Sequence, residues 1–173
     1  YLDNTKSMDG FVHPANSGAG SGDFIAVFNV LRNKYGDETQ AYYIDQKNIA
    51  KTTLGKMTKS LNDNNMKTFD AYEMSAFLDT VTNRTLKDTA NRVMSFFVTD
   101  AIISGTNSQI ASNPNYNIDH AQTLSTDIAN SIKKLRGKGY GMAIMQFKAL
   151  YDGDYINYHN GHTTIKTDLP FYV

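Results

Sequence analysis

Residues 137–167 constrain the fold more than any other stretch, because Asp152-Gly153 and Asn160-Gly161 each sit between runs of aromatic and β-branched residues. A two-residue type I′ turn needs positive φ at both central positions, which Asp or Asn followed by Gly supplies at little steric cost. The spacing predicts a three-stranded antiparallel meander over about 142–151, 154–159 and 162–167. Such a sheet has to bury one face, and the segments before it are the available cover.

Those segments carry helical periodicity. Phe24, Val27, Phe28 and Leu31 recur at i, i+3, i+4 and i+7, predicting a helix over about 22–35 that Gly36 stops. Gln40 to Ile44 reads as a short extended piece. A second helix is expected over 46–61, with Ala50, Leu54, Met57 and Leu61 on one side. Asp70, with Glu73 three residues on and Phe69 placed to staple against Met74, starts a third, whose Phe77, Leu78 and Val81 face inward. A fourth, over 86–104, has a wide apolar stripe from Leu86 to Ile102 and reads as the central helix. A polar loop follows over 105–118. A fifth lies within about 120–136, with Leu124, Ile128, Ile132 and Leu135 inward. The expected fold class is therefore α+β, about five helices followed by a C-terminal three-stranded antiparallel meander. Residues 1–21 lack periodicity and read as an extended arm or loop, leaving 22–173 as a single α+β domain.

Composition narrows the function. A chain of 173 residues can bury a real core in one domain. Its 17 basic and 17 acidic residues balance, so no global field favours nucleic acid. No apolar run approaches the roughly 18 residues of a membrane span. A chain opening on Tyr1 is expected to be processed or to be part of a longer one. The absence of Cys removes disulfides, Cys-ligated zinc and a Cys nucleophile. Glu occurs only at Glu38 and Glu73, while Asn, Thr and Tyr are plentiful, a bias resembling secreted and virion proteins.

The motifs each have a plainer explanation. Gly18-x-Gly20-x-Gly22 matches neither dinucleotide nor Walker spacing and follows no apolar strand. His159 and His162 flank the Asn160-Gly161 turn and are candidate metal ligands, but need a third donor from elsewhere. Asn62 to Glu73 resembles a worn EF-hand loop in which Met66 and Lys67 replace an oxygen ligand and the turn Gly; a capped helix start explains the same residues. Lys133, Lys134, Arg136 and Lys138 complement the dipole of a helix C-terminus. Asn83-Arg84-Thr85 is a glycosylation sequon. Ser21, before a helix start, is placed either as a nucleophile or as an N-terminal cap.

The two ends of the chain together resemble a known family. Gly22-Asp23-Phe24-Ile25-Ala26-Val27-Phe28 is similar to the helix of papain-like, especially calpain-like, cysteine peptidases that opens Gly-Asp-Cys. Gly139-Tyr140-Gly141-Met142-Ala143-Ile144, then Asp152-Gly153-Asp154-Tyr155-Ile156 and His159-Asn160-Gly161, is similar to that family's second half, where a Gly-His-Ala strand precedes a hairpin and an Asn turn. The resemblance spans about forty residues. It departs from the family at the chemistry: Phe24 holds the Cys position, Tyr140 or Gly141 the His position, and only Asn160 matches the orienting Asn. What it implies is a papain-like scaffold without the thiolate and imidazole the reaction needs.

The expectation is a non-catalytic structural or binding domain, of virion or extracellular setting, acting through a protein partner or self-assembly and needing no cofactor. The alternative is a hydrolase or transferase with a papain-like groove between the first helix and the C-terminal hairpins. It would use His159, His162, Asn160, Tyr140 and Ser21 or Asp23.

Overall fold

A computed structural model describes residues 1–14, 21–44, 49–69, 74–87, 93–101, 116–157 and 161–173. The fold is α+β. The described elements, in chain order, are β1 (Leu2–Asp3), a 3-10 turn (Lys6–Met8), α1 (Asp9–Val12), α2 (Gly22–Tyr35), β2 (Gln40–Ile44), β3 (Ile49–Thr53), α3 (Leu54–Asn62), α4 (Met74–Lys87), α5 (Tyr116–Gly137), β4 (Gln146–Asn157) and β5 (Gly161–Tyr172). One sheet has the order β1-β2-β3, with β1 parallel to β2 and β3 antiparallel to it; the other is the antiparallel pair β4-β5.

The C-terminal part is a two-stranded hairpin and not the expected meander. β4 runs straight through Asp152-Gly153, and Gly153 pairs with Ile165 in an unbroken register. The glycine is there for a close approach. A Cβ at Gly153 would lie 2.9 Å from the Cα of Gly10, and one at Gly10 would lie 2.5 Å from the Tyr151 ring. Glycine inside a strand often marks backbone meeting backbone, and here α1 lies directly on β4. The last pair of the hairpin is Asn157 with Gly161; Asn160 itself lies outside the described residues.

The larger correction concerns the N-terminus. Residues 1–14, expected to belong to an arm, supply four fully buried core side chains, Leu2, Met8, Phe11 and Val12. Phe11 meets Tyr151 edge-on at 5.1 Å and Phe171 edge-on at 5.8 Å and stacks on Phe24 at 5.5 Å, while Phe24 meets Phe171 edge-on at 5.0 Å. Aromatic pairs of this kind contribute about 0.5–1.5 kcal/mol each beyond their burial. The segment has no helical or strand period because it spends few residues in any one element. Short pieces leave no periodic signature even when every apolar residue is buried.

Helix α2 forms as its spacing predicts, with Phe24 and Phe28 buried, Val27 and Leu31 packed against the core, and Gly36 at φ +88° ending it. Residues 46–61 divide differently. The β-branched residues Ile49, Thr52 and Thr53 favour β3, and the Thr53 hydroxyl then accepts from the Lys56 amide to start α3. Leu54, Met57 and Leu61 are buried on α3 as expected, but Ala50 is in the strand. Helix α4 carries Phe77 and Val81 inward onto Ile44, with Tyr1 and Phe97 beside them. Asp70 and Glu73, the expected cap, lie outside the described residues. Helix α5 packs on α4.

No helix runs over 93–101. Val98 instead bridges Leu2 in parallel and Thr99 bridges Tyr172 antiparallel. The Asp3 amide donates to the Val98 carbonyl at 2.9 Å, the Val98 amide to the Tyr1 carbonyl at 2.9 Å, and Thr99 and Tyr172 exchange bonds of 3.0 and 2.7 Å. One short extended segment thereby joins the two sheets, in the order β3-β2-β1-(98–99)-β5-β4. Consecutive strand residues point their backbone groups to opposite sides, so Val98 serves one sheet and Thr99 the other. The apolar stripe that suggested a helix is equally compatible with a strand buried on both faces, and β-branched Val98 and Thr99 favour the latter.

Candidate functional site

Two features lie around this junction, a buried polar seam and an exposed apolar strip. In the seam, Asp3 is 1% exposed, and both of its carboxylate oxygens are used: Oδ1 accepts from the Thr5 amide at 3.0 Å and Oδ2 from the Thr99 hydroxyl at 2.8 Å. Burial raises its pKa, and the bonds from Thr99 and Thr5 offset part of that rise. The Thr99 hydroxyl also accepts from the Ala101 amide at 3.0 Å, and Ala101 sits at φ +56°. Thr5 and Ser7 share a hydroxyl bond of 2.9 Å. Tyr151 donates to the Asp154 carbonyl at 2.6 Å. Burial first, and then the charges of Asp100 and Asp9, hold its phenol protonated. Carboxylate and hydroxyls here are enclosed and mutually engaged, which suits them to fixing the two sheets together. The arrangement gives Asp3 no access to a substrate.

The strip is the opposite case. Met142, Ile144, Met145, Phe147 and Leu150 are all exposed, Ile144 at 60% and Met145 at 45%. They lead into β4 and continue along it. The geometry of that strand follows from its base, where Met145 and Val173 exchange backbone bonds of 2.8 and 2.9 Å. Bonded pairs alternate in an antiparallel ladder. The amides and carbonyls of Phe147, Ala149 and Tyr151 therefore face β5, whereas those of Gln146, Lys148 and Leu150 face the outer edge of β4. Tyr172 lies between, and its bonds to Thr99 show the matching outward direction on β5. Pro170, which has no amide hydrogen, falls at another outward position of β5, so it blunts that edge without breaking the ladder to Lys148. The β4 edge has no such guard over 146–150. Further along, the Asp154 carbonyl is taken by Tyr151, and Asp152 is buried with Lys166 at 2.9 Å.

The residues expected to form a catalytic set are not gathered by the described structure. Ser21 is the buried N-cap residue of α2; its amide donates to the Phe11 carbonyl at 2.9 Å, and its side chain makes no capping bond. Asp23 is exposed in the first turn of α2. Tyr140 is half-buried beyond the end of α5, its amide bonded to the Leu135 carbonyl at 3.0 Å. His162 pairs with Ile156 near the hairpin tip. It is nine residues from Phe171, the neighbour of Phe24, or roughly 30 Å along β5 at about 3.3 Å per residue. His159 and Asn160 lie outside the described residues. At the junction of α2 and the hairpin the structure packs aromatic rings.

Among the described residues, no group of three His, Asp or Glu side chains could hold a metal ion. In the EF-hand-like stretch, the Asn62 amide group donates to the Thr58 carbonyl, Lys59 pairs with Asp63, and Met66 is buried; residues 70–73 lie outside the described set. Lys134 of the basic cluster pairs with Asp79 of α4 at 2.8 Å. Asn83 of the sequon is exposed on α4, while Thr85 is buried with its hydroxyl on the Val81 carbonyl. No described helix is long and apolar enough to cross a membrane.

Sequence reasoning missed the apolar strip, although a signal for it exists. Between Met142 and Leu150 apolar residues occupy both alternating sets, where a strand with one solvated face would alternate with polar ones. Comparison of the chain with protein-family models, with curated proteins and with solved structures gave no match.

Proposed function

We propose that the chain is a non-catalytic domain that works by protein–protein assembly through the base of its C-terminal hairpin. The observation carrying this reading is the run of exposed apolar residues Met142, Ile144, Met145, Phe147 and Leu150, set at the start of β4 and along both of its faces, beside a strand edge that no described segment covers. Single exposed apolar residues are ordinary, but five large ones within nine residues of chain are more than chance exposure requires, and clustered apolar surface marks interaction sites. Met and Phe are also among the residues enriched at interfaces. An edge strand adds a second attraction, a row of backbone donors and acceptors ready for another strand. The enclosed state of the seam carboxylate supports a structural rather than a catalytic use of the polar residues.

Light scattering over a hundredfold concentration range tests the reading. The expected result is a mass above that of one chain, rising with concentration, and returned to one chain by the double substitution Ile144→Asp and Leu150→Asp. A single-chain mass at every concentration, unchanged by the substitutions, would contradict it.

A further inference from the structure

Resting on that assembly reading, we infer that the partner at the β4 edge is a second copy of this chain, added antiparallel about a two-fold axis through Phe147. Three observations carry the inference. The first is the direction of the backbone. The outward groups of Gln146, Lys148 and Leu150 are presented by exposed residues, and no described segment bonds to them. The second is the asymmetry between the edges. β5 is joined to Thr99 and then blunted by Pro170, and the far edge of the joined sheets, β3, exposes Ala50 and Lys51 rather than large apolar side chains. Only the β4 edge combines open backbone with large exposed apolar groups among the described strands.

The third observation is self-complementarity, which selects the register. Centred on Phe147, the pairing sets Phe147 against Phe147 of the second copy, Gln146 against Lys148, Met145 against Ala149 and Ile144 against Leu150. Ile144 meets Leu150 on one face and the Phe147 pair meets on the other, where Met145 lies opposite the backbone of Ala149, whose side chain is buried in its own core; the single ammonium meets an amide. Centring on Lys148 would oppose two like charges directly, which destabilises a strand pair. Centring on Gln146 would put Ile144 against Lys148. Centring on Ala149 or Leu150 would require Asp152, which is buried and held by Lys166 of its own chain. An isologous two-fold contact closes on itself, as most homo-oligomers do.

The absence of cysteine from the chain makes the test direct. At the axis the two Phe147 positions form a non-bonded pair, with Cα atoms about 4.5 Å apart, which is inside the reach of a disulfide, about 4.4–6.8 Å. Phe147→Cys treated with diamide is expected to give a covalent dimer on a non-reducing gel, at concentrations where the wild type is dimeric by light scattering. Val30→Cys, 65% exposed on α2, is expected to stay single. Should Phe147→Cys fold poorly, a mixture of Gln146→Cys and Lys148→Cys chains replaces it, and is expected to cross-link more than either variant alone. Multimeric wild type with no cross-linking above the Val30→Cys level would overturn the two-fold pairing and leave the assembly reading standing. A single-chain wild type would overturn both.

Discussion

Asp3 shows how one residue can tie distant parts of a chain and leave a thermodynamic signature. Its two oxygens bind Thr5 and Thr99, so a carboxylate near one end of the chain is fixed to a strand about a hundred residues away. Burial favours its protonated form, raising the folded-state pKa above the ordinary value of about 3.9. As pH rises through that window the unfolded chain releases the proton while the folded chain keeps it. This group's contribution to stability is therefore greatest at low pH and declines until the folded pKa is passed. Urea unfolding from pH 4 to 8 should show a component of falling midpoint in the wild type. Asp3→Asn, which keeps an oxygen for the Thr5 amide, should flatten it. An identical slope in both proteins would show that Asp3 is not the group responsible. Gly153 makes a different point at the same scale. Its dipeptide with Asp152 has the composition of a hairpin turn, yet its freedom from a Cβ is used against Gly10, a contact made by residues far apart in sequence. Nothing local distinguishes the two uses.

Among the elements, those with a long helical period were legible. The α2 face, the α3 residues Leu54, Met57 and Leu61, and the inward Phe77 and Val81 of α4 all follow from spacing. Elements defined by a non-local partner were not. Residues 96–99 carry an apolar run that fits helix or buried strand, and Leu2 on one side with Tyr172 on the other decide for strand. The hairpin was legible as a hairpin, but its strand count was not, because the count depended on Gly153. Of the candidate site, the expectation of assembly was available from composition, and the surface proposed for it was not located. The N-terminal segment was misassigned for want of a period, although Leu2, Met8, Phe11 and Val12 are all apolar. Because Phe11 is fully buried in the core, Phe11→Ala should destabilise the protein by about 3–5 kcal/mol, a large share of the roughly 5–15 kcal/mol typical of a domain. Denaturant unfolding reads this directly. A loss below about 0.5 kcal/mol, as expected for a surface residue, would restore the arm.

At the scale of the whole molecule, the joined strands form a sheet whose two outer edges, those of β3 and β4, pair with no described strand, and only the β4 edge carries large exposed apolar side chains. α1 and α2 cover one face of the hairpin, Thr99 and Pro170 close the outer side of β5, and the apolar strip lies where β4 begins. The alternation of backbone groups along β4 makes the proposed assembly measurable residue by residue. Amide hydrogen exchange at Gln146, Lys148 and Leu150, followed against protein concentration, is the most direct test of whether a second strand docks there. Phe147, Ala149 and Tyr151, bonded to β5, should be protected at every concentration. Gln146, Lys148 and Leu150 should exchange rapidly in dilute protein and become protected as the mass rises. Rapid exchange at those three amides in concentrated protein would mean that no strand pairs with this edge, and the proposed assembly surface would be wrong.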